Sequence, residues 1–143
     1  MGSDLAEKTL VVSEDCPICS VHRGKKIPGL IHQNSSFIIR HAPEDKKIPG
    51  YLYIEPISHR EKYSDWDPKE FRDLGNALQF ATDWIQKKYS PPKIYTVLVA
   101  EKVAHMHFHL VPRYEEIKGP EYIRLALEGL ATAPVGIPFP KFE

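Results

Sequence analysis

His105-Met106-His107-Phe108-His109-Leu110-Val111 alternates imidazole with apolar side chains without a break. In an extended strand, alternate residues share a face and stand about 6.6 to 6.8 Å apart along the chain. The run Ala104 to Val111 therefore predicts a strand with His105, His107 and His109 on one side and Met106, Phe108 and Leu110 turned to a core. Ile94-Tyr95-Thr96-Val97-Leu98-Val99 reads as a second strand, joined to it through Ala100-Glu101-Lys102-Val103 in a hairpin-like connection.

Upstream lies the clearest helix. Asp67 is placed to cap, Pro68 suits the first helical position, and Glu70 completes a capping-box pattern. Phe71, Leu74, Leu78, Ala81, Ile85 and Tyr89 then form one apolar stripe, and Pro91-Pro92 ends it. Gly75 interrupts the stripe at a cost of about 1 kcal/mol relative to Ala, which suggests a close approach by a strand. Phe37-Ile38-Ile39 and Tyr51-Leu52-Tyr53-Ile54 are two earlier strand runs, with Pro43 to Lys47 a polar loop between them. Pro120 to Leu130 reads as a second, shorter helix. The order β, β, α, β, β, α with hairpin-like pairs favours an α+β fold built on an antiparallel sheet that holds these four runs and is expected to reach about five strands, with one long and one short helix.

The chain has 143 residues, 42% of them hydrophobic, enough for one domain over residues 1–143, with a motif-bearing core over about 16–113 and an irregular tail over about 131–143. Residues 1 to 13 read as a weakly specified leader. Nineteen Lys plus Arg balance nineteen Asp plus Glu, so no global field draws the protein to nucleic acid or to a membrane surface, and neither is expected as a partner. No apolar run approaches the roughly 20 residues that span a bilayer. The expected location is cytoplasmic.

Three readings of the histidines stand side by side: decoration of a solvent face, a metal site, and a nucleophile with orienting neighbours. Strict alternation of three among seven histidines disfavours the first. Cys16-Pro17-Ile18-Cys19 has three readings too: a redox pair, two inert buried side chains, or half of a zinc site. Two cysteines do not make a disulfide scaffold.

The run His105 to Val111, followed by Pro112-Arg113, resembles the histidine triad (HIT) motif of histidine-apolar-histidine-apolar-histidine and two apolar residues. The segment Pro49 to His59 is similar to the family block of proline, glycine, histidine, apolar residues, proline, lysine, any residue and histidine, and the long helix falls between the two. The resemblance covers about residues 16 to 113. It implies a nucleotide-binding HIT-like fold, a homodimer whose sheets join, and hydrolysis or nucleotidyl transfer at the α-phosphate of a dinucleoside polyphosphate or nucleoside phosphoramidate. Carried over, His107 is the nucleophile that forms a nucleotidyl-histidine, and His109 contacts the phosphate and leaving group. Two alternatives remain: a nucleotide-binding module with little turnover, and a metal-dependent hydrolase whose triad holds the ion.

A subset of the family and its galactose-phosphate uridylyltransferase relatives bind zinc through an N-terminal cysteine pair, the histidine of the proline block and the first triad histidine. The resemblance thus implies a structural zinc on Cys16, Cys19, His59 and His105. Departures bear on the substrate. Ala100-Glu101-Lys102 stands where many members have glycine, glutamine and a hydroxyl residue, so Lys102 is expected at the phosphate. The family's ribose aspartate is missing, its place falling near His41, with Arg40 before it; Ile39 is expected to line the base pocket and Glu44 or Asp45 to approach the ribose. Tyr51 replaces a histidine, and Asn34 reads as a turn residue.

Overall fold

The computed structural model describes residues 10–114 and 116–142. Most of the expected leader lies outside them. Its elements, in chain order, are α1 (Pro17–Arg23), β1 (Leu30–Gln33), β2 (Phe37–His41), β3 (Leu52–Pro56), α2 (Pro68–Tyr89), β4 (Lys93–Leu98), β5 (Phe108–Arg113) and α3 (Gly119–Glu128). The five strands form one antiparallel sheet in the order β1-β2-β3-β5-β4. The fold is α+β as expected, and the fifth strand is β1. Its Leu30, His32 and Gln33 are exposed, so burial imposes no alternation that would announce it. Among the described residues no helix is long and apolar enough to cross a membrane.

The sheet has two covered faces. Phe37, Ile39, Leu52, Ile54, Phe108 and Leu110 pack with Ala77, Ala81 and Ile85 of α2. Tyr51, Tyr53 and Val111 pack on the other side with Tyr122 and Ala126 of α3. Helix α2 starts where its local chemistry dictates: the Asp67 carboxylate accepts from the Glu70 amide and the Glu70 carboxylate accepts from the Asp67 amide, both at 2.9 Å. Between β2 and β3 the chain turns at Gly50 (φ 86°), where a Cβ would stand 2.9 Å from the Tyr89 ring.

Several expectations are corrected. Phe71 is 47% exposed and leans on Trp66, while Ala77 takes the core position, because the buried stripe of α2 is centred on Ala77, Ala81 and Ile85. Gly75 is not a point of close approach: a Cβ there meets nothing within 4 Å. β5 begins at Phe108 rather than Ala104. Ahead of it the ladder to β3 is diverted, since the Met106 amide donates to the Arg60 carbonyl at 2.7 Å and His105 Nε2 bonds the Pro56 carbonyl at 2.8 Å. His105 and His107 therefore stand on irregular chain before the strand, although the alternation of burial from Met106 to Leu110 persists.

Candidate functional site

The N-cap of α1 is Cys16, and Cys19 follows in the first turn. Both thiols are buried and free of disulfide. Their sulfurs meet the ring nitrogens of two histidines from distant parts of the chain: Cys16 Sγ lies 3.5 Å from His105 Nδ1, and Cys19 Sγ lies 3.5 Å from both His105 Nδ1 and His59 Nδ1. All four donor atoms fall within 4.8 Å of one another.

The donor geometry can be tested against an ion. Zinc with Zn–S of about 2.3 Å and Zn–N of about 2.0 to 2.1 Å in a tetrahedron has sulfur-to-nitrogen edges of about 3.5 Å. The three sulfur–nitrogen separations match that edge. The tautomers match as well: a carbonyl only accepts, so the bond to Pro56 keeps the His105 proton on Nε2 and turns the Nδ1 lone pair to the thiols. On His59 the Glu61 carboxylate, 2.7 Å from Nε2, does the same. Burial pushes the Cys19 thiol up and, as the first of several causes, the His105 imidazole down to about 4. A cation among these donors would offset the burial of a thiolate. The cluster fits a metal ion in donor type, spacing and outer contacts.

The other two triad histidines do not enter that cluster. Their rings lie 4.8 Å apart at the floor of a cleft of about 470 Å³, whose walls come from α1, the loop after β4 and the end of α3. His107 Nδ1 is 2.8 Å from the His105 carbonyl oxygen, which fixes the proton on Nδ1 and leaves the lone pair on Nε2. His109 Nδ1 is 2.8 Å from the hydroxyl of fully buried Tyr51. Burial first, then the charges of His107 and Lys46, lowers His109 to about 4. Burial raises the Tyr51 phenol far above its ordinary value, so it keeps its proton.

Register builds the rest of the floor. Arg40 pairs with Tyr53 and Tyr53 with His109, so the three stand in one row across β2, β3 and β5. Beside them Glu55, only 1% exposed, takes a forked pair of hydrogen bonds from Arg40 Nε and Nη2, each 2.8 Å, and a third contact of 2.9 Å from His22 Nε2 of α1. Burial would raise this carboxyl; the His22 and Arg40 bonds and the Arg40 charge more than offset it and hold the group near 2. The Arg40 guanidinium also lies 4.9 Å over the Tyr53 ring.

Of the expected substrate contacts, Lys102 and Glu101 line the cleft, on a turn where Ala100 adopts φ 55°. Ile39 and His41 do not. Alternation in β2 sends them to the opposite face, where Ile39 is 1% exposed in the α2 core. His41 is also buried, with Nδ1 at the Ala42 carbonyl and Nε2 accepting from the Gly50 amide. The residue on the cleft side is the one between them, Arg40. Sequence reasoning missed Arg40, Glu55 and His22 as a unit; the available signal was a charge placed inside each of two otherwise apolar strands. Glu44 and Asp45 sit in a 3₁₀ turn, Glu44–Lys46, that sends Lys46 rather than an acid to the cleft. Asn34 is a turn residue, its side chain accepting from the Ser36 and Phe37 amides.

Neither a family model nor a curated protein matches the sequence. Solved structures do match. A HIT family protein from Bacillus anthracis is 15% identical, with 83% of this chain and 92% of that chain covered and a TM-score of 0.64. A Hit-like protein involved in cell-cycle regulation from Bartonella henselae is 19% identical over 84% and 98%, with a TM-score of 0.63. A Zn-bound histidine triad family protein from Mycobacterium smegmatis is 19% identical over 81% and 93%, with a TM-score of 0.57. The chain has the fold of these HIT family proteins.

Proposed function

We propose that this HIT-fold chain is a nucleotide hydrolase or nucleotidyltransferase of the histidine triad type, acting at the α-phosphorus through His107. The observation that carries the reading is the 2.8 Å bond from His107 Nδ1 to the His105 carbonyl, which leaves Nε2 with its lone pair in a histidine that lines the cleft. That nitrogen attacks phosphorus, a P–N bond forms, and the bond from phosphorus to the leaving oxygen or nitrogen breaks with its electron pair, a leaving nitrogen taking a proton from solvent so that it departs as an amine. Water then attacks phosphorus, the P–N bond breaks, and the imidazole is regenerated as the water's proton is lost. Imidazole serves because it is both a nucleophile and a fair leaving group near neutral pH.

His109 has a different part. Lowered to about 4, it is neutral at pH 7, and in the tautomer in which Nδ1 accepts from the Tyr51 hydroxyl it presents an Nε2–H. A neutral N–H donor suits the oxygens of the phosphoryl group as charge develops on them. Lys102 and Lys46 bring positive charge to the same cleft. Zinc on Cys16, Cys19, His59 and His105 would be structural in this reading: those ligands would tie α1 to the segments that follow β3 and precede β5 and would steady the carbonyl that holds His107. Free thiols at that site fit a reducing, cytoplasmic setting. The same reading includes a homodimer, with β4 forming one free edge of the sheet where a second copy's sheet would join.

A nucleotide-binding module with little turnover is the second reading, favoured by Glu101, an acid on the wall of a cleft meant for phosphate. The triad as a catalytic metal site has less support, since His105 alone of the three joins the donor cluster. Mass spectrometry of protein quenched in denaturant at alkaline pH, where a P–N bond survives, after mixing with adenosine and guanosine phosphoramidates and dinucleoside polyphosphates separates these readings. A nucleotidyl adduct on His107, absent in His107→Ala, is the expected result. Tight binding with neither adduct nor turnover overturns the enzyme reading.

A further inference from the structure

Cys16, Cys19 and His22 recur every third residue and so share one side of α1. The first two belong to the metal cluster. The third stands edge-on to His105, ring centroids 5.9 Å apart, and reaches past it to Glu55, with its side chain 6% exposed. Glu55 spends both carboxylate oxygens on Arg40, and Pro17, Ile18 and Val21 of the same helix wall the cleft into which Arg40 is set. Arg40 Nη1 makes no hydrogen bond to any described residue, so the forked grip on Glu55 leaves a donor edge for something else.

Geometry gives that edge a place. Neighbouring strands lie about 4.7 to 4.9 Å apart, so the backbone of Arg40 is about two strand spacings from that of His109 along one row of the floor. A nucleotide with its phosphate at His107 and His109 has a path within the same cleft across Tyr53 toward Arg40. A planar donor edge is matched to paired acceptors.

We propose that His22, carried on the metal-bearing helix, positions Arg40 through Glu55 as a substrate-specificity residue that holds acceptor atoms of the nucleotide away from the reacting phosphate, so that metal and nucleotide each tighten the other's binding. This rests on the nucleotide and zinc reading above. Without His22, Glu55 loses one of its three contacts and its tie to the helix, and the position of the fork on Arg40 is set by the sheet alone. Linkage requires the two binding effects to be equal in size.

The test uses the full chain with zinc, and adenosine and guanosine 5′-monophosphate as probes. Zinc affinity is measured by competition with a chelator, with and without nucleotide, and nucleotide affinity by calorimetry on zinc-loaded protein. In the wild type, nucleotide should tighten zinc binding about tenfold or more, the range of a single charge-assisted hydrogen bond. His22→Ala should keep one zinc per chain, weaken nucleotide binding by a similar factor and abolish the coupling; His22→Gln, whose amide can donate to Glu55, should restore most of both. Arg40→Lys should weaken nucleotide binding and leave zinc affinity in the absence of nucleotide unchanged. In turnover, His22→Ala should raise KM more than it lowers kcat. Equal zinc affinity with and without nucleotide in the wild type overturns the proposal, as does full coupling in His22→Ala. A zinc-loaded wild type that binds neither nucleotide overturns the underlying functional reading along with it.

Discussion

On the α2 face of the sheet, β2, β3 and β5 contribute Phe37, Ile39, Leu52, Ile54, Phe108 and Leu110 to a dry core. On the opposite face the same strands contribute, beside Tyr53, the polar residues Arg40, Glu55 and His109, which burial alone would not select. Each charge there has a named partner, Arg40 on Glu55 and Glu55 on His22. The difference teaches that period-two alternation divides the labour: one set of side chains is chosen for volume and makes the sheet stand, the other for protons, lone pairs and charge.

Two substitutions one strand row apart should separate the faces. His107→Ala is expected to lower turnover by about a thousandfold or more, consistent with removal of a nucleophile, and to leave thermal stability nearly unchanged. Ile39→Ala should do the reverse, costing about 2 to 5 kcal/mol of stability through transfer and cavity effects while turnover at a temperature where the variant is folded stays within a few-fold. Equal losses of activity in both variants, with stability matched, would erase the distinction.

Metal removal tests what holds the polar face together. An ion present at a thousand times its dissociation constant contributes about 4 kcal/mol of folding stability. Cys19→Ser, or chelation, should therefore lower the unfolding midpoint by roughly 10 °C for a domain of this size. A melting curve indifferent to chelator, in protein shown to have held one zinc, would mean that α1 is secured by its apolar contacts alone.

How much of this is legible in the sequence depends on range. The start of α2 can be read because Asp67, Pro68 and Glu70 act within one turn, and its end because Pro91 and Pro92 stop any helix. The pairing of Cys16 and Cys19 with His59 and His105 comes from family resemblance; their separation in sequence hides the 3.5 Å contacts. Ile39 and His41 face away from the histidine cleft; alternation gives two faces without saying which is which, and only the register Arg40↔Tyr53↔His109 decides that. The Glu55 cluster joins α1, β2 and β3, and no local rule predicts a contact among three elements.

On the polar face pH acts through His109. The unfolded chain protonates His109 near 6.5, while burial holds the folded imidazole neutral down to about 4. Between those values the unfolded state binds the extra proton, so stability is full above pH 6.5 and falls as pH falls. From pH 7 to pH 5 this group should remove up to about 2 kcal/mol, less in proportion to its partial exposure. Urea unfolding at both pH values, wild type against His109→Asn, reads the difference; an identical pH slope in the two proteins would assign the loss to other groups.

The smallest effect tests the apolar face at its rim. Gly75 lies on the exposed side of α2, and the space around a Cβ built there is open for 4 Å. Glycine in a helix interior costs about 1 kcal/mol relative to alanine, chiefly through backbone entropy. Gly75→Ala should therefore raise stability by about that amount with no change in turnover, since neither the core stripe of Ala77, Ala81 and Ile85 nor the histidine cleft is touched. A loss of stability would mean that something packs against this turn of α2, with the edge of a second copy the first candidate. Sedimentation of the variant at several concentrations distinguishes a lost assembly from a weakened helix, because only the former depends on concentration.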